Sequence, residues 1–231
     1  MTITAFHTPG AGQRYPLNTA LFVLLFAPFY LNDFANIYIH DWRMWLAIDY
    51  VFVKALPLLL VARMVARGQL SYASLGLGTP RLGANVATLL LAAGAGVLLD
   101  QNAYAAIAKL PGYVALGSMP EIGVSAVNWI DLTLGLVLVG LVEEIVFRAV
   151  LAELLARGGV ALTVAISSPA FGLIHWSGGL HVVVVTTVIG AVFMLIYLRW
   201  RALLALAFAH ALVDFVDFAG VVPKQIFNLL Y

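Results

Sequence analysis

Seven stretches of this chain run apolar for nearly the distance across a bilayer: 17–31, 44–66, 84–99, 124–156, 160–176, 180–198 and 202–219. A spanning helix takes roughly 20 residues of this kind. Lipid offers the backbone no hydrogen-bonding solvent, so each stretch must satisfy its own amides and carbonyls, which within one segment only a helix does. Composition agrees. Hydrophobic residues make up 63% and charged residues 10%, whereas a soluble domain carries about a quarter charged. So few charges would leave large apolar patches on a water-facing surface. The expected fold is all-α, a polytopic transmembrane bundle of about seven spanning helices. The first and third stretches are short, and the fourth is long enough to tilt.

Gly, Pro and polar breaks separate the stretches, at 76–83, at Gly158 and Gly159, and at 177–179. The chain divides into an N-terminal tail (1–16), N-terminal transmembrane segments with an interfacial region (17–123), and a carboxyl-terminal core (124–231). Within the second part, 100–121 is mixed in character and is expected at an interface. The tail is polar, lacks the pattern of a cleaved signal peptide, and is read as cytosolic. No internal repeat is visible. The chain has no cysteine, which removes disulfides, thiolate metal sites and a cysteine nucleophile together. A net charge of +1 gives no reason to expect nucleic acid as a partner.

Orientation follows from Lys and Arg in short loops. With the amino terminus inside, the inner side collects Arg14, Arg63, Arg67, Arg81, Arg157, Arg199 and Arg201. The outer side collects Arg43, Lys109 and Lys224, with Asp33, Asp41, Asp100, Glu121 and Asp131.

A charge at mid-bilayer costs at least about 2.5–3.5 kcal/mol, so each one needs a partner or a purpose. Lys54 and Asp49 sit five apart in the second stretch and are read as a structural pair or a snorkelling lysine. The fourth stretch reads LVLVGLVEEIVFRAVLAELL. There Glu144 and Arg148 share a helical face. Glu143 is turned about 100° away and must find its partner on another helix. Two later stretches offer one: FGLIH ends in His175, and HALVD holds His210 and Asp214 four apart. The bland reading of this group is a buried polar network that fixes helix registry. His181 and Asp217 near segment ends, and His7 and His40 in loops, receive only a structural reading, as do Phe147 and Phe171 as packing groups.

In order and on successive apolar stretches, EEIVFR fits EExxxR, FGLIH fits FxxxH and HALVD fits HxxxN/D. The pattern resembles the CPBP family, the CAAX proteases and bacteriocin-processing enzymes also called ABI, over about 124–219. The resemblance implies an intramembrane glutamate-dependent endopeptidase. Glu143 would be the general base, and His175 would help orient and activate water. His210 and Asp214 would hold the carbonyl oxygen, while Glu144 with Arg148 braces the helix and Phe171 supports it. Asp214 stands where better-studied CAAX endopeptidases have Asn. An ionised Asp only accepts, so Asp214 serves the oxyanion when protonated or else orients His210. The family also favours a metal-free mechanism without cofactor. Its implied partners are the lipid bilayer and a membrane-anchored, lipidated or hydrophobic peptide, and its implied location is a bacterial or archaeal cytoplasmic membrane.

Other readings of the same residues remain. Two His and two carboxylates could hold zinc, although no HExxH spacing is present. Ser167 and Ser168 lack a GxSxG elbow. A transporter or a non-catalytic scaffold or immunity protein could use the same buried charges. By helical rise, Glu143 and His175 lie about 21 and 27 Å from the level of Arg157. In the orientation above the site leans outward, whereas the CAAX-type relatives it resembles open toward the cytosol. Either helix five bends at Pro169, or the enzyme serves substrates on the outer face, or the orientation is reversed.

Overall fold

A computed structural model describes residues 19–78, 81–107 and 111–220. The tail with His7 and Arg14, and also Lys109 and Lys224, lie outside the described residues. Seven helical stretches follow one another: α1 (Thr19–Tyr38), α2 (Trp42–Ala66), α3 (Leu82–Ile107), α4 (125–155), α5 (Gly159–Gly172), α6 (Leu180–Trp200) and α7 (Leu203–Phe218). No strand occurs among the described residues.

The helices follow the apolar stretches, with three differences. First, four of them, α1, α2, α3 and α6, are long and apolar enough to cross a membrane. The expected count of seven spans is therefore not reached on length and apolarity alone. The fourth stretch carries Glu143, Glu144 and Arg148 in its middle, and the helices of the fifth and seventh have 14 and 16 residues. Second, α1 runs on to Tyr38, so Asp33 is a buried helical residue and not part of an outer loop. Third, α3 continues to Ile107, taking in the first residues of the expected interfacial stretch, while 111–124 has no regular secondary structure.

Local chemistry sets the helix ends. Asp41 caps α2 by accepting from the amides of Arg43 and Met44, each at 3.0 Å. Gly179 opens α6 with φ of +100°, and a Cβ there would meet the backbone of residues 113–115. Only glycine accepts that conformation without strain, so the chain turns sharply behind α5 and comes back as α6.

Phe147 on α4 is fully buried within a cluster of rings: Phe26, Phe29 and Tyr30 from α1 and Phe171 from α5, at centroid distances of 5.6, 5.2, 6.5 and 5.7 Å. The mostly edge-on packing joins α1, α4 and α5 where the polar residues converge. Gly140, also on α4, lies against α7. A Cβ at this position would overlap the Ala207 carbonyl oxygen and come within 3.1 Å of the Ala211 amide. The missing side chain lets α4 and α7 approach closely one turn before Glu144. The substitution Gly140→Val is expected to cost about 1–3 kcal/mol of stability through overpacking. Thermal unfolding in detergent, compared with Leu134→Val at an exposed position of the same helix, checks it.

Candidate active site

Three departures from α-helical geometry mark the helices that carry buried charge. π-helical turns span Asp49–Ala55 in α2 and both Asp131–Gly135 and Ile145–Val150 in α4. Such turns widen the helix so that residues five apart stack, and they gather at functional sites. In α2 the consequence is direct. Asp49 and Lys54, which an α-helix would leave askew, form a buried ion pair, and the Lys54 ammonium also sits 4.1 Å from the centroid of the Tyr50 ring. The structural-pair reading of these two residues is thus the observed one.

In the core, α4, α5 and α7 bring the motif residues together. Glu144 is 0% exposed and Arg148 1%. Glu144 Oε2 pairs with Arg148 Nε at 3.1 Å, and Glu144 Oε1 accepts from His210 Nδ1 at 2.8 Å. The Arg148 guanidinium also lies over the Phe171 ring at 3.9 Å. Because a carboxylate only accepts, His210 carries its proton on Nδ1 and turns Nε2 toward Glu143 Oε2 at 3.7 Å and Asp214 Oδ2 at 3.6 Å. The carboxylate that orients His210 through Nδ1 is therefore Glu144, while Asp214 flanks the other ring nitrogen. Glu143 is 8% exposed, and its Oε2 makes no hydrogen bond within the protein.

His175 lies in a short 3₁₀ turn, Leu173–Gly178, that follows α5. The helix continues through Pro169 and leaves α geometry only after Gly172, so the bend falls later than the proline. There His175 adopts φ −106° and ψ 26°, and its Nδ1 donates to the Phe171 carbonyl at 3.2 Å, leaving Nε2 as an acceptor. The Phe171 ring touches both imidazoles, at centroid distances of 5.2 Å to His175 and 5.8 Å to His210.

Glu143, His175, His210 and Asp214 all line one cavity of about 400 Å³, while Glu144, Arg148 and Phe171 form the layer behind its wall. Ser167 and Ser168 are buried in α5 and do not line it. Among the described residues, no group of three or more His, Asp or Glu side chains is arranged to hold a metal ion.

Helix α1 is part of this site, which the sequence did not signal. The Tyr30 hydroxyl donates to the Ala170 carbonyl at 2.9 Å, and Trp176 Nε1 donates to the Tyr30 carbonyl at 3.0 Å. Asp33 Oδ2 accepts from the Ser177 amide at 2.6 Å, and its other oxygen accepts from Asn36 at 3.0 Å. Together these bonds hold the turn that presents His175. The loop after α3 closes over the same turn: the Leu116 amide donates to the Ser177 carbonyl at 2.7 Å, and the Tyr113 hydroxyl to the Trp176 carbonyl at 2.9 Å. Asp33, just past an apolar run, reads as part of a segment end, because the Ser177 amide it holds lies 144 residues away.

Residues 125–216, from the start of α4 nearly to the end of α7, match the family model described as Rce1-like, type II CAAX prenyl endopeptidase Rce1-like. The matched span contains all three motifs. No curated protein and no solved structure matches the chain.

Two substitutions test the polar framework. Asp33→Ala strands the buried Ser177 amide and is expected to cost about 1–3 kcal/mol, read as a lowered unfolding midpoint. Lys54→Met leaves the Asp49 carboxylate buried and unpaired, at an expected cost of about 3–5 kcal/mol. Adding Asp49→Leu to Lys54→Met should recover most of that loss in the same measurement.

Proposed function

Residues 125–216 are an Rce1-like domain of the CAAX protease family, carried by an integral membrane protein, and from that premise we propose that the chain is an intramembrane glutamate-dependent endopeptidase. Its catalytic core is 124–231, and 17–123 supplies the opposite wall of the cavity and the brace for His175. The substrate is a membrane-anchored, lipidated or hydrophobic polypeptide. One observation carries the reading: the Glu143 carboxylate, buried and facing the cavity, leaves one oxygen without a hydrogen bond in the protein while two imidazoles line the same space.

Glu143 takes one proton from water, and His175 Nε2 accepts a hydrogen bond from the O–H that remains and aims the oxygen. The resulting hydroxide attacks the scissile carbonyl carbon, and the carbonyl π electrons move to oxygen. His210 Nε2–H donates to that oxygen beside Asp214. An imidazole donating from both nitrogens is cationic, and Glu144 against its Nδ1 supplies the compensating charge. Arg148 in turn balances Glu144. The C–N bond then breaks, and the proton held by Glu143 passes to the leaving amine. Fixed charges aimed at the developing oxyanion within the low-dielectric protein stabilise the transition state more than they would in water. No step calls for a metal, and the two Nδ1 hydrogen bonds hold both imidazoles for water and oxyanion. The oxygen pair of Asp214 sits beside the oxyanion, where a protonated carboxyl or an amide would both donate.

The test is hydrolysis of a panel of lipidated and unlipidated peptides by the purified protein. Glu143→Gln should abolish cleavage with the fold intact. His175→Ala and His210→Ala should each lower turnover about 10²–10⁴-fold. A chelator should leave the rate unchanged. Full activity in Glu143→Gln would end the glutamate mechanism, and loss with chelator that zinc restores would replace it with a zinc protease.

A further inference from the structure

Two residues of the cavity wall hold a buried polar atom that makes no hydrogen bond among the described residues: Glu143, through Oε2, on α4 and Asn32, through Oδ1, on α1. The first belongs to the mechanism above. The second has no task there, and it lies outside the 125–216 span that matches the protease family. Asn32 belongs to a stripe. Phe29, Asn32, Asp33 and Asn36 follow at the three- and four-residue spacing of one helical face, and all four line the cavity. Two of the polar members are engaged in the framework. Asp33 accepts from the Ser177 amide and from Asn36 Nδ2, and Asn36 Oδ1 accepts from Trp45 Nε1 at 2.8 Å. The Asn32 amide is the polar group of this face that the framework leaves over. A buried amide without a partner is unfavourable, and a leucine of similar volume would avoid that cost.

Depth places this amide beside the reacting groups. Phe29 and Phe147 pack ring against ring at 5.2 Å. The cavity draws on the residues of α1 that follow Phe29 and on the residues of α4 that precede Phe147, so the two helices run in opposite senses along it. One turn from the ring contact toward the cavity reaches Asn32 on α1 and Glu143 on α4, about 4.5 and 6 Å along the two axes. The two stand at nearly one level. The height of Asn32 is also fixed against His175, because its neighbours Tyr30 and Asp33 are bonded to Trp176 and Ser177 of the turn that carries that histidine.

We propose that Asn32 is a substrate-binding residue, whose side-chain amide pairs with a backbone peptide group of the polypeptide close to the bond that is cut. An asparagine amide offers an acceptor and a donor, the complement of a peptide N–H and C=O. Its χ2 torsion is broad, so either end can turn to the cavity. A ligand that supplies the missing partner relieves the cost of the unpaired amide. Inside a helix a peptide group finds both partners in its own chain, so this contact takes a segment that is extended or unwound where it crosses the cavity. The place beside a scissile bond rests on the protease reading above, whereas the binding contact does not.

Binding without turnover isolates the contact. The whole protein carrying Glu143→Gln is placed in nanodiscs with the tightest-binding peptide of the hydrolysis panel. That peptide is compared with analogues in which one backbone amide at a time becomes an ester, which removes an N–H and weakens the carbonyl as an acceptor. One analogue should bind about 3- to 10-fold more weakly than its parent, the size of a single hydrogen bond. Adding Asn32→Leu should weaken the parent by about the same factor and abolish that one penalty, while the unfolding midpoint stays level or rises. Ester penalties that all survive Asn32→Leu, or no binding by any peptide, overturn the proposal. So does a lowered midpoint with unchanged peptide affinity, which would make Asn32 a structural residue. An Asn32-dependent penalty, with no peptide hydrolysed by the unsubstituted protein, would instead count against the protease reading and leave the contact standing.

Discussion

The Glu144 carboxylate holds the core of this protein together. It is buried completely, with one oxygen on Arg148 and the other on His210. Leaving any one of the three unpaired at this depth would cost several kcal/mol, so α4 and α7 are held in one register. The consequences reach both neighbouring motifs. Fixing His210 through Nδ1 directs Nε2 to the space between Glu143 and Asp214. Fixing Arg148 places its guanidinium on Phe171, whose ring touches both imidazoles. A single buried ionic contact thus relates the glutamate pair, the first histidine and the second.

Around that contact the bundle is arranged for close approach and for controlled departure from regular helix. Gly140 brings α4 against α7, and the ring cluster at Phe147 seats both α1 and α5 against α4. The π-helical turns fall where charges occur. Widening the helix by one residue per turn lets Asp49 reach Lys54, and it changes which faces of α4 the residues from Asp131 to Arg148 present. An unbroken α-helix would leave Asp49 and Lys54, five apart, askew.

The site also has two layers with different tasks. Glu143, His175, His210 and Asp214 reach the cavity, while Glu144, Arg148, Phe171, Tyr30, Asp33 and Trp176 hold them in place from behind or beside. Two members of this second layer, Tyr30 and Asp33, belong to α1, outside the region that matches a family of known proteases. The amino-terminal helices are therefore structural partners of the carboxyl-terminal core and not a separate anchor. Removing them would release the turn that carries His175.

How much of this could be read from the chain depends on the range of the interaction. Apolar runs of near-spanning length located the helices, because lipid leaves the backbone no alternative, although α1 runs seven residues and α3 eight beyond the ends of their apolar stretches. Charges inside those runs marked Glu143, Glu144, Arg148, His175, His210 and Asp214, because desolvation makes each too costly to keep without a partner or a use. Both effects act within a segment. Everything that joins segments waited for the tertiary structure: that Glu144, and not Asp214, orients His210 at Nδ1; that Asp33 and Tyr30 hold the turn behind α5; that a π turn unites Asp49 with Lys54; and that acidic residues of separate helices line one cavity. Periodicity reports the face a residue occupies on its own helix. Which helix lies opposite is decided by how close two backbones come and by which buried charges remain to be matched, and neither is a local property.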